Sequence, residues 1–228
     1  KRSKTLNYLT ACGRIARRGT MGIAHIGGAD MLELNGFYNM DCMEGMKQFP
    51  DKYFDLAIPD PPYGIGAEKM RRGNSVIHPD KSKSWDKFAP SEEYFKELKR
   101  VSKNQIIWGG NYFDLPPTRC VLVWDKGESM YGRSFSELEM AWTSFPDSAR
   151  IFKHTPNDPY RIHPTQKPID LYLWELNLFA KPGYKIIDTH AGSASSLIAC
   201  YEMGFPYVGF EIDPDYYKAA NERLDAAK

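Results

Sequence analysis

Tyr53-Phe54-Asp55-Leu56-Ala57-Ile58-Pro59-Asp60-Pro61-Pro62-Tyr63-Gly64 is the stretch on which the fold turns. Residues 53–58 are an apolar run of strand length, and the prolines from Pro59 onward end sheet pairing because proline has no N–H to give the ladder. The pattern is therefore a buried strand that delivers a rigid loop at its carboxyl end. Upstream, Phe37–Met40 reads as a short strand ending in Asp41, followed by a helix over 44–49. Downstream come a polar loop over 64–90, a helix over 92–101 capped by Ser91, and strands over 105–108, 120–124 and 138–143. Residues 144–164 are rich in Pro and Asp and read as loop. Pro168 is placed to open a helix over 169–179. A strand over 184–188, a helix over 194–203 stopped by Gly204, a strand over 207–211 and a helix over 214–227 complete the chain. Alternating strands and helices predict an α/β fold, a mostly parallel sheet with helices on both faces.

The 228 residues suit one domain, and a hydrophobic fraction of 42% is enough for a globular core. Mean hydropathy is −0.52. No apolar run is long enough to span a bilayer and no secretory signal is read, so a cytoplasmic chain with no membrane partner is expected. Cys12, Cys42, Cys120 and Cys200 form no C-x-x-C pair, which argues for reduced thiols and against a metal site. The net charge of +1 is uneven: residues 1–30 hold six basic side chains against Asp30 alone. That segment reads as a basic extension to a domain over 31–228, or as a basic DNA-binding arm. A second basic stretch, with Lys69, Arg71, Arg72, Lys81, Lys83 and Lys87, lies in the 64–90 loop, where solvated charge is the simpler account.

The chemistry-bearing groups collect in loops that follow strands, where open α/β sheets bind ligands. Asp60 offers a carboxylate, Pro61 a carbonyl of fixed direction and Tyr63 a flat aromatic face. Asp188-Thr189-His190-Ala191-Gly192-Ser193 is a small-residue loop between a strand and a helix, suited to close approach of a ligand to backbone N–H groups. Glu211, at the end of the next strand and followed by Ile212, can take both hydroxyls of a ribose. A nicotinamide enzyme would use similar logic, but G-x-G-x-x-G is absent. His163-Pro164-Thr165-Gln166-Lys167-Pro168 precedes a helix; Thr165 and backbone N–H groups there can receive a carboxylate, and Lys167 adds charge, although Lys167 can equally face solvent. Asp41, beside Cys42, is either a ligand-facing carboxylate or the N-cap of the helix that follows.

Asp60-Pro61-Pro62-Tyr63-Gly64 straight after an apolar strand, together with His163-Pro164-Thr165-Gln166-Lys167-Pro168, resembles the DNA amino-methyltransferases, the N6-adenine and N4-cytosine enzymes. The resemblance covers nearly everything from Met31 onward and implies a Rossmann-like fold dependent on S-adenosylmethionine (SAM). The order of the two sites, 60–63 before 188–193, is that of the permuted β group. Trp85-Asp86, Trp108-Gly109-Gly110-Asn111-Tyr112 and Val123-Trp124-Asp125-Lys126 resemble small members of the kind carried by phages and restriction-modification systems. The resemblance implies Asp60, Pro61, Pro62 and Tyr63 as the catalytic loop. It implies a cofactor pocket from Asp41, Cys42, Asp60, Thr165, Gln166, Lys167, Asp188, His190, Ala191, Gly192, Ser193, Glu211 and Ile212. It also implies double-stranded DNA as partner and a possible homodimer. An aspartate at position 60 leans towards adenine. Physically, the lone pair of an exocyclic amine is delocalised into its ring. Acceptance of its two N–H groups by Asp60 and by the Pro61 carbonyl favours a pyramidal nitrogen. The base must leave the duplex to reach them, and Tyr63 gives it a face to stack on, worth about 1–3 kcal/mol.

The sequence departs from the family pattern at Thr189, His190, Ala194, Ser195 and Ser196, and Ala194 carries a backbone cost if its φ is positive. Those departures leave a second reading, a non-catalytic SAM- or DNA-binding subunit, which the intact Asp60 loop opposes. Only about residues 126–162 are available before His163 for a target-recognition region, so recognition is expected from that short segment, from the 64–90 loop or from a partner subunit. Arg71, Arg72, Lys81, Lys83, Arg133 and Arg161 are the candidate contacts to DNA.

Overall fold

The computed structural model describes residues 31–66, 86–133, 136–156, 158–159 and 161–228. Its eight strands are β1 (Gly36–Asn39), β2 (Phe54–Ala57), β3 (Ser102–Trp108), β4 (Val121–Asp125), β5 (Leu138–Thr143), β6 (Arg150–Lys153), β7 (Ile186–Asp188) and β8 (Tyr207–Glu211). The helices are α1 (Cys42–Met46), α2 (Glu92–Val101), α3 (Ile169–Phe179), α4 (Ser195–Glu202) and α5 (Pro214–Ala227). They build one sheet in the order β1-β8-β7-β2-β3-β5-β4-β6. Pairing is parallel from β1 through β3 and between β4 and β6; β5 alone runs against its neighbours. The mostly parallel α/β sheet expected from the alternation of elements is therefore present.

The apolar runs of the central strands are continuous because both of their faces are covered. Leu56, Ile106, Trp108 and Ile186 pack under α3, α4 and α5 with Leu171, Leu176, Leu197 and Leu224. Their neighbours Ala57, Ile107 and Ile187 point the other way, towards Met46 of α1 and Tyr94, Leu98 and Val101 of α2. In α2 the spacing 94, 98, 101 places those side chains on one helical face. Close approach is enforced at Gly209, where a Cβ would lie 2.5 Å from Leu197 Cδ1. A larger residue there would lift α4 off β8.

Three expectations are corrected. Residues 144–164 are not all loop, since β6 extends the sheet from within them. Pro168 is the N-cap of α3, with ψ 146, rather than its first helical residue. The first helix begins at Cys42 instead of Glu44 because the Asp41 carboxylate caps it, accepting from Met43 N at 2.7 Å. The basic extension over 1–30, Trp85, and the candidates Arg71, Arg72, Lys81 and Lys83 lie outside the described residues.

One buried acid couples the core to pH. Glu175 of α3 is fully buried, accepts from Trp108 Nε1 at 2.7 Å, and has no partner for Oε2 among the described residues. Burial pushes its carboxyl up to about 8. Between the ordinary glutamate value of 4.5 and about 8 the native chain holds this proton while the unfolded chain has released it. Stability from this group is therefore lost as pH rises across that window, at about 1.4 kcal/mol per pH unit, and levels off above it. Asp188, raised by burial to about 7, acts in the same direction over a lower range. Glu175→Gln mimics the protonated acid, so its melting temperature should fall less than the wild-type value between pH 7 and 8, the remaining slope coming from Asp188. Parallel curves for the two proteins would contradict this.

Candidate functional site

Because β2 and β7 are parallel neighbours, with Ala57 opposite Ile187, the loops after them emerge side by side at one edge of the sheet. The loop after β2 carries Asp60-Pro61-Pro62-Tyr63, and the loop after β7 carries His190-Ala191-Gly192-Ser193. β8 brings Glu211 and Ile212 to the same edge on one flank, and β3 brings Gly109 and the 3-10 turn Gly110–Tyr112 on the other. β5 runs antiparallel, so it presents its start there rather than its end, and with it Glu139. These groups line a single cleft of about 450 Å³, together with Thr165, Gln166 and Lys167 from the segment before α3. That volume lies in the usual range for small-molecule sites.

The half of the cleft formed by the loops after β7 and β8 is a shaped backbone. Asp188 is buried below the cleft; its carboxylate accepts from His190 N at 2.9 Å and from the Ser196 hydroxyl. Gly192 has φ +52, and no heavy atom comes closer than 4.0 Å to where its Cβ would be, so a ligand can lie against this backbone. Ala194 has φ 60, the left-handed conformation that disfavours alanine. Arg223 of α5 holds the loop by donating to Ser193 O at 2.7 Å and Ser195 Oγ at 3.0 Å. Nothing in the sequence marked Arg223 out from other helix-surface arginines. Glu211 accepts from Gly192 N at 3.1 Å and Asp213 N at 2.8 Å, leaving a second lone pair on each oxygen. Ile212 beside it is 65% exposed. His190 touches Tyr94 edge to face, and burial lowers it to about 4, so the ring is neutral near pH 7.

The half of the cleft around Asp60 is charged and buried. Tyr63 Oη donates to Asp60 Oδ1 at 2.7 Å, and Lys167 Nζ lies 2.5 Å from Asp60 Oδ2. Lys167 also reaches Glu139 Oε2 at 3.0 Å, and Lys126 pairs with Glu139 Oε1 at 2.7 Å. Burial pushes the Asp60 carboxyl up and Glu139 adds to this, while Lys167 opposes it. Burial also acts upward on Glu139, but Lys167 and Lys126 outweigh it and hold that carboxyl at about 2. The Tyr63 ring is stacked on Tyr112, with centroids 4.9 Å apart and planes 14° apart. Gly109 backs the same ring.

Of the residues expected from the sequence, Asp60, Pro61, Pro62, Tyr63, Thr165, Gln166, Lys167, His190, Ala191, Gly192, Ser193, Glu211 and Ile212 all line the cleft. Asp41, Cys42 and Asp188 do not. Asp41 is exposed and committed to capping α1, Cys42 Sγ sits 4.0 Å from His190 Nε2, and Asp188 supports the loop from beneath. Lys167 does not face solvent: its side chain is 1% exposed. Arg161 is spent on the carbonyls of Pro156 and Pro164, which suits a loop brace better than a DNA contact. Glu139 and Lys126 were missed as site residues. The one signal for Glu139 was a carboxylate inside the apolar alternation of residues 138–143.

A family model described as DNA methylase, the N6/N4 methyltransferases, matches residues 107–222, from β3 through most of α5. The chain belongs to this DNA methylase family. The methylase is 26% identical over 215 residues to a protein of Escherichia coli (strain K12) named as methylase YubD, covering 86% of this chain and 92% of that one. It is 24% identical to the type II methyltransferase M.HinfI of Haemophilus influenzae, covering 86% of this chain and 69% of the relative. Among solved structures it shares its fold with the M1.HpyAVI-SAM complex, at a TM-score of 0.56 and 17% identity, covering 82% of this chain and 98% of that one. The cytosine-N4-specific PvuII DNA methyltransferase aligns at a TM-score of 0.54 and 14% identity, covering 84% and 90%. The match to the family model begins after residue 60 and does not include the Asp60 loop.

Gly109 supplies a test of the half around Asp60. Its φ is +71, and a Cβ there would meet Tyr63 Cε1 at 2.2 Å. Gly109→Ala should displace the Tyr63 ring and lower methyl transfer about tenfold or more, since small misplacements near the reacting groups are costly. Steady-state rates with unchanged donor affinity would show it; an unaltered rate would mean that Tyr63 needs no fixed position.

Proposed function

We propose that this methylase transfers the methyl group of SAM to the N6 amine of an adenine flipped out of double-stranded DNA. The observation that carries the reading is that one cleft joins the Asp60 loop to the Gly192–Glu211 wall. A methyl donor and a base amine can therefore meet in it.

The residues present suit SAM. Glu211 keeps two lone pairs for ribose hydroxyls, Ile212 offers an apolar surface for the adenine ring, and the open backbone at Gly192 admits close approach. SAM supplies an electrophilic methyl on its sulfonium. The chain's own part is to hold the target amine. Asp60 and the Pro61 carbonyl accept its two N–H groups, which turns the nitrogen lone pair towards the donor. Tyr63 presents the stacking face, and the base takes the side that Tyr112 covers in the free protein. Exclusion of water by this largely buried site strengthens those hydrogen bonds.

N4 methylation of cytosine is the second reading, favoured by the fold shared with a cytosine-N4-specific enzyme; Asp60 at the head of the loop favours adenine. Incubation with methyl-labelled SAM and unmethylated genomic DNA, then mass analysis of the nucleosides, separates the two. N6-methyldeoxyadenosine is expected. N4-methyldeoxycytidine would replace the adenine reading, and SAM binding without transfer would favour a non-catalytic subunit.

A further inference from the structure

Lys167 occupies a place that the cofactor-pocket expectation did not foresee. An ammonium group has three hydrogens to donate. Three acceptors surround Lys167 Nζ: Asp60 Oδ2 at 2.5 Å, Glu139 Oε2 at 3.0 Å and Tyr63 Oη at 3.1 Å. Its donors are thereby committed, and none is left over for the carboxylate of a donor molecule. The ammonium also sits 5.3 Å from the Trp108 ring centroid and 5.7 Å from that of Tyr63, so aromatic faces close off its remaining surroundings. Glu139 is fixed from its far side by Lys126, giving a line of alternating charges from Lys126 to Asp60. Two carboxylates and two ammonium groups balance, which is what burial of so many charges requires.

This arrangement bears on Asp60 directly. Each carboxylate oxygen has two acceptor positions. Lys167 takes one on Oδ2 and Tyr63 takes one on Oδ1, so the carboxylate is clamped at both oxygens while further lone pairs stay available for an amine. We infer that Lys167 is a positioning residue for methyl transfer, clamping the Asp60 carboxylate in its accepting orientation and ionised form, with Glu139 and Lys126 clamping Lys167 in turn. The inference deepens the proposed function and rests on it. The groups that face Asp60 are Tyr63 on its own loop, Tyr94 of α2, Lys167 before α3, Glu139 of β5, Tyr172 and Glu175 of α3 and Asp188 of β7. Burial and Glu139 act to protonate Asp60, and Lys167 acts against them.

Opposite shifts on opposite charges test this. Lys167→Met should lower kcat about 10- to 100-fold at pH 7 and move the acid limb of the pH–rate profile up by about one unit or more, because an opposite charge within contact distance depresses a carboxyl by that order. SAM affinity should change by less than about threefold. Lys167→Arg should bring the acid limb back. Glu139→Gln should move the limb down, since it removes a like charge from beside Asp60. A purely structural role would not give shifts of opposite sign. Titration of the Asp60 carboxyl carbon by NMR in the unliganded protein, assigned with Asp60→Asn, should show the same two displacements. That readout decides the matter even if the wild-type chain transfers no methyl, a result that would overturn the proposed function alone. If Lys167→Met fails to fold, Glu139→Gln still carries the test. An unmoved acid limb and carbon titration in Lys167→Met and Glu139→Gln, or a loss confined to SAM affinity, would overturn the inference.

Discussion

Asp60→Ala should reduce methyl transfer by about 10³-fold while leaving SAM affinity within a few-fold of wild type. The magnitude follows from the role: positioned acid–base and acceptor groups contribute roughly 10²–10⁴-fold, and no other carboxylate can stand in for this one. Glu139 is the nearest, but both of its oxygens are engaged by Lys126 and Lys167. The separation of rate from affinity follows from the topology. Asp60 follows β2, whereas the proposed donor wall is built from the loops after β7 and β8, held by Asp188, Arg223 and Glu211 without help from Asp60. Asp60→Ala also strands Lys167 with a single carboxylate neighbour, so a lower melting temperature should accompany the loss. Asp60→Asn keeps the shape and one acceptor oxygen, and should retain more activity than alanine. Single-turnover rates with saturating SAM, beside calorimetric titration of SAM, measure both halves. Wild-type turnover by Asp60→Ala would remove the acceptor loop from the mechanism.

The complementary substitution is Glu211→Ala, for which SAM affinity should fall about 10²-fold. Two charge-assisted hydrogen bonds to ribose, each worth about 1.5–3 kcal/mol, would be lost. Backbone order would go with them, since Glu211 also ties Gly192 N and Asp213 N. The loss should appear mainly in KM for SAM and in the calorimetric Kd. A drop in kcat with unchanged affinity would place the donor elsewhere.

Regular structure was legible where burial and period agreed. The residue bounds of α2, α3, α5, β5 and β8 are those that periodicity, caps and proline placement imply. β6 was not, because Arg150–Lys153 is an edge strand with one paired side and mostly exposed side chains, so it carries no apolar alternation. That residues 60–63 would line a cleft was legible because they are contiguous and follow a strand. The charge line behind it was not: Lys167 and Tyr63 are 104 positions apart, and only the pairing of β2 with β7 and β3, and of β3 with β5, brings Lys167, Glu139 and Asp60 to one edge. A lysine in a loop before a helix looks solvated until its partners are known. Asp41 shows the reverse case. Its two roles were indistinguishable in sequence, and the capping of α1 is the one the local geometry realises.

The central claim is that methyl donor and target amine meet between the Asp60 loop and the Gly192–Glu211 wall. A crystal structure of the chain with the non-reactive SAM analogue sinefungin and a duplex substrate tests it most directly. The claim predicts a flipped base on the Tyr63 face, its amine about 3 Å from Asp60 and from the Pro61 carbonyl, with the analogue's ribose on Glu211. A base stacked in the duplex with Asp60 contacting no amine, or an analogue bound away from Gly192 and Glu211, would contradict it.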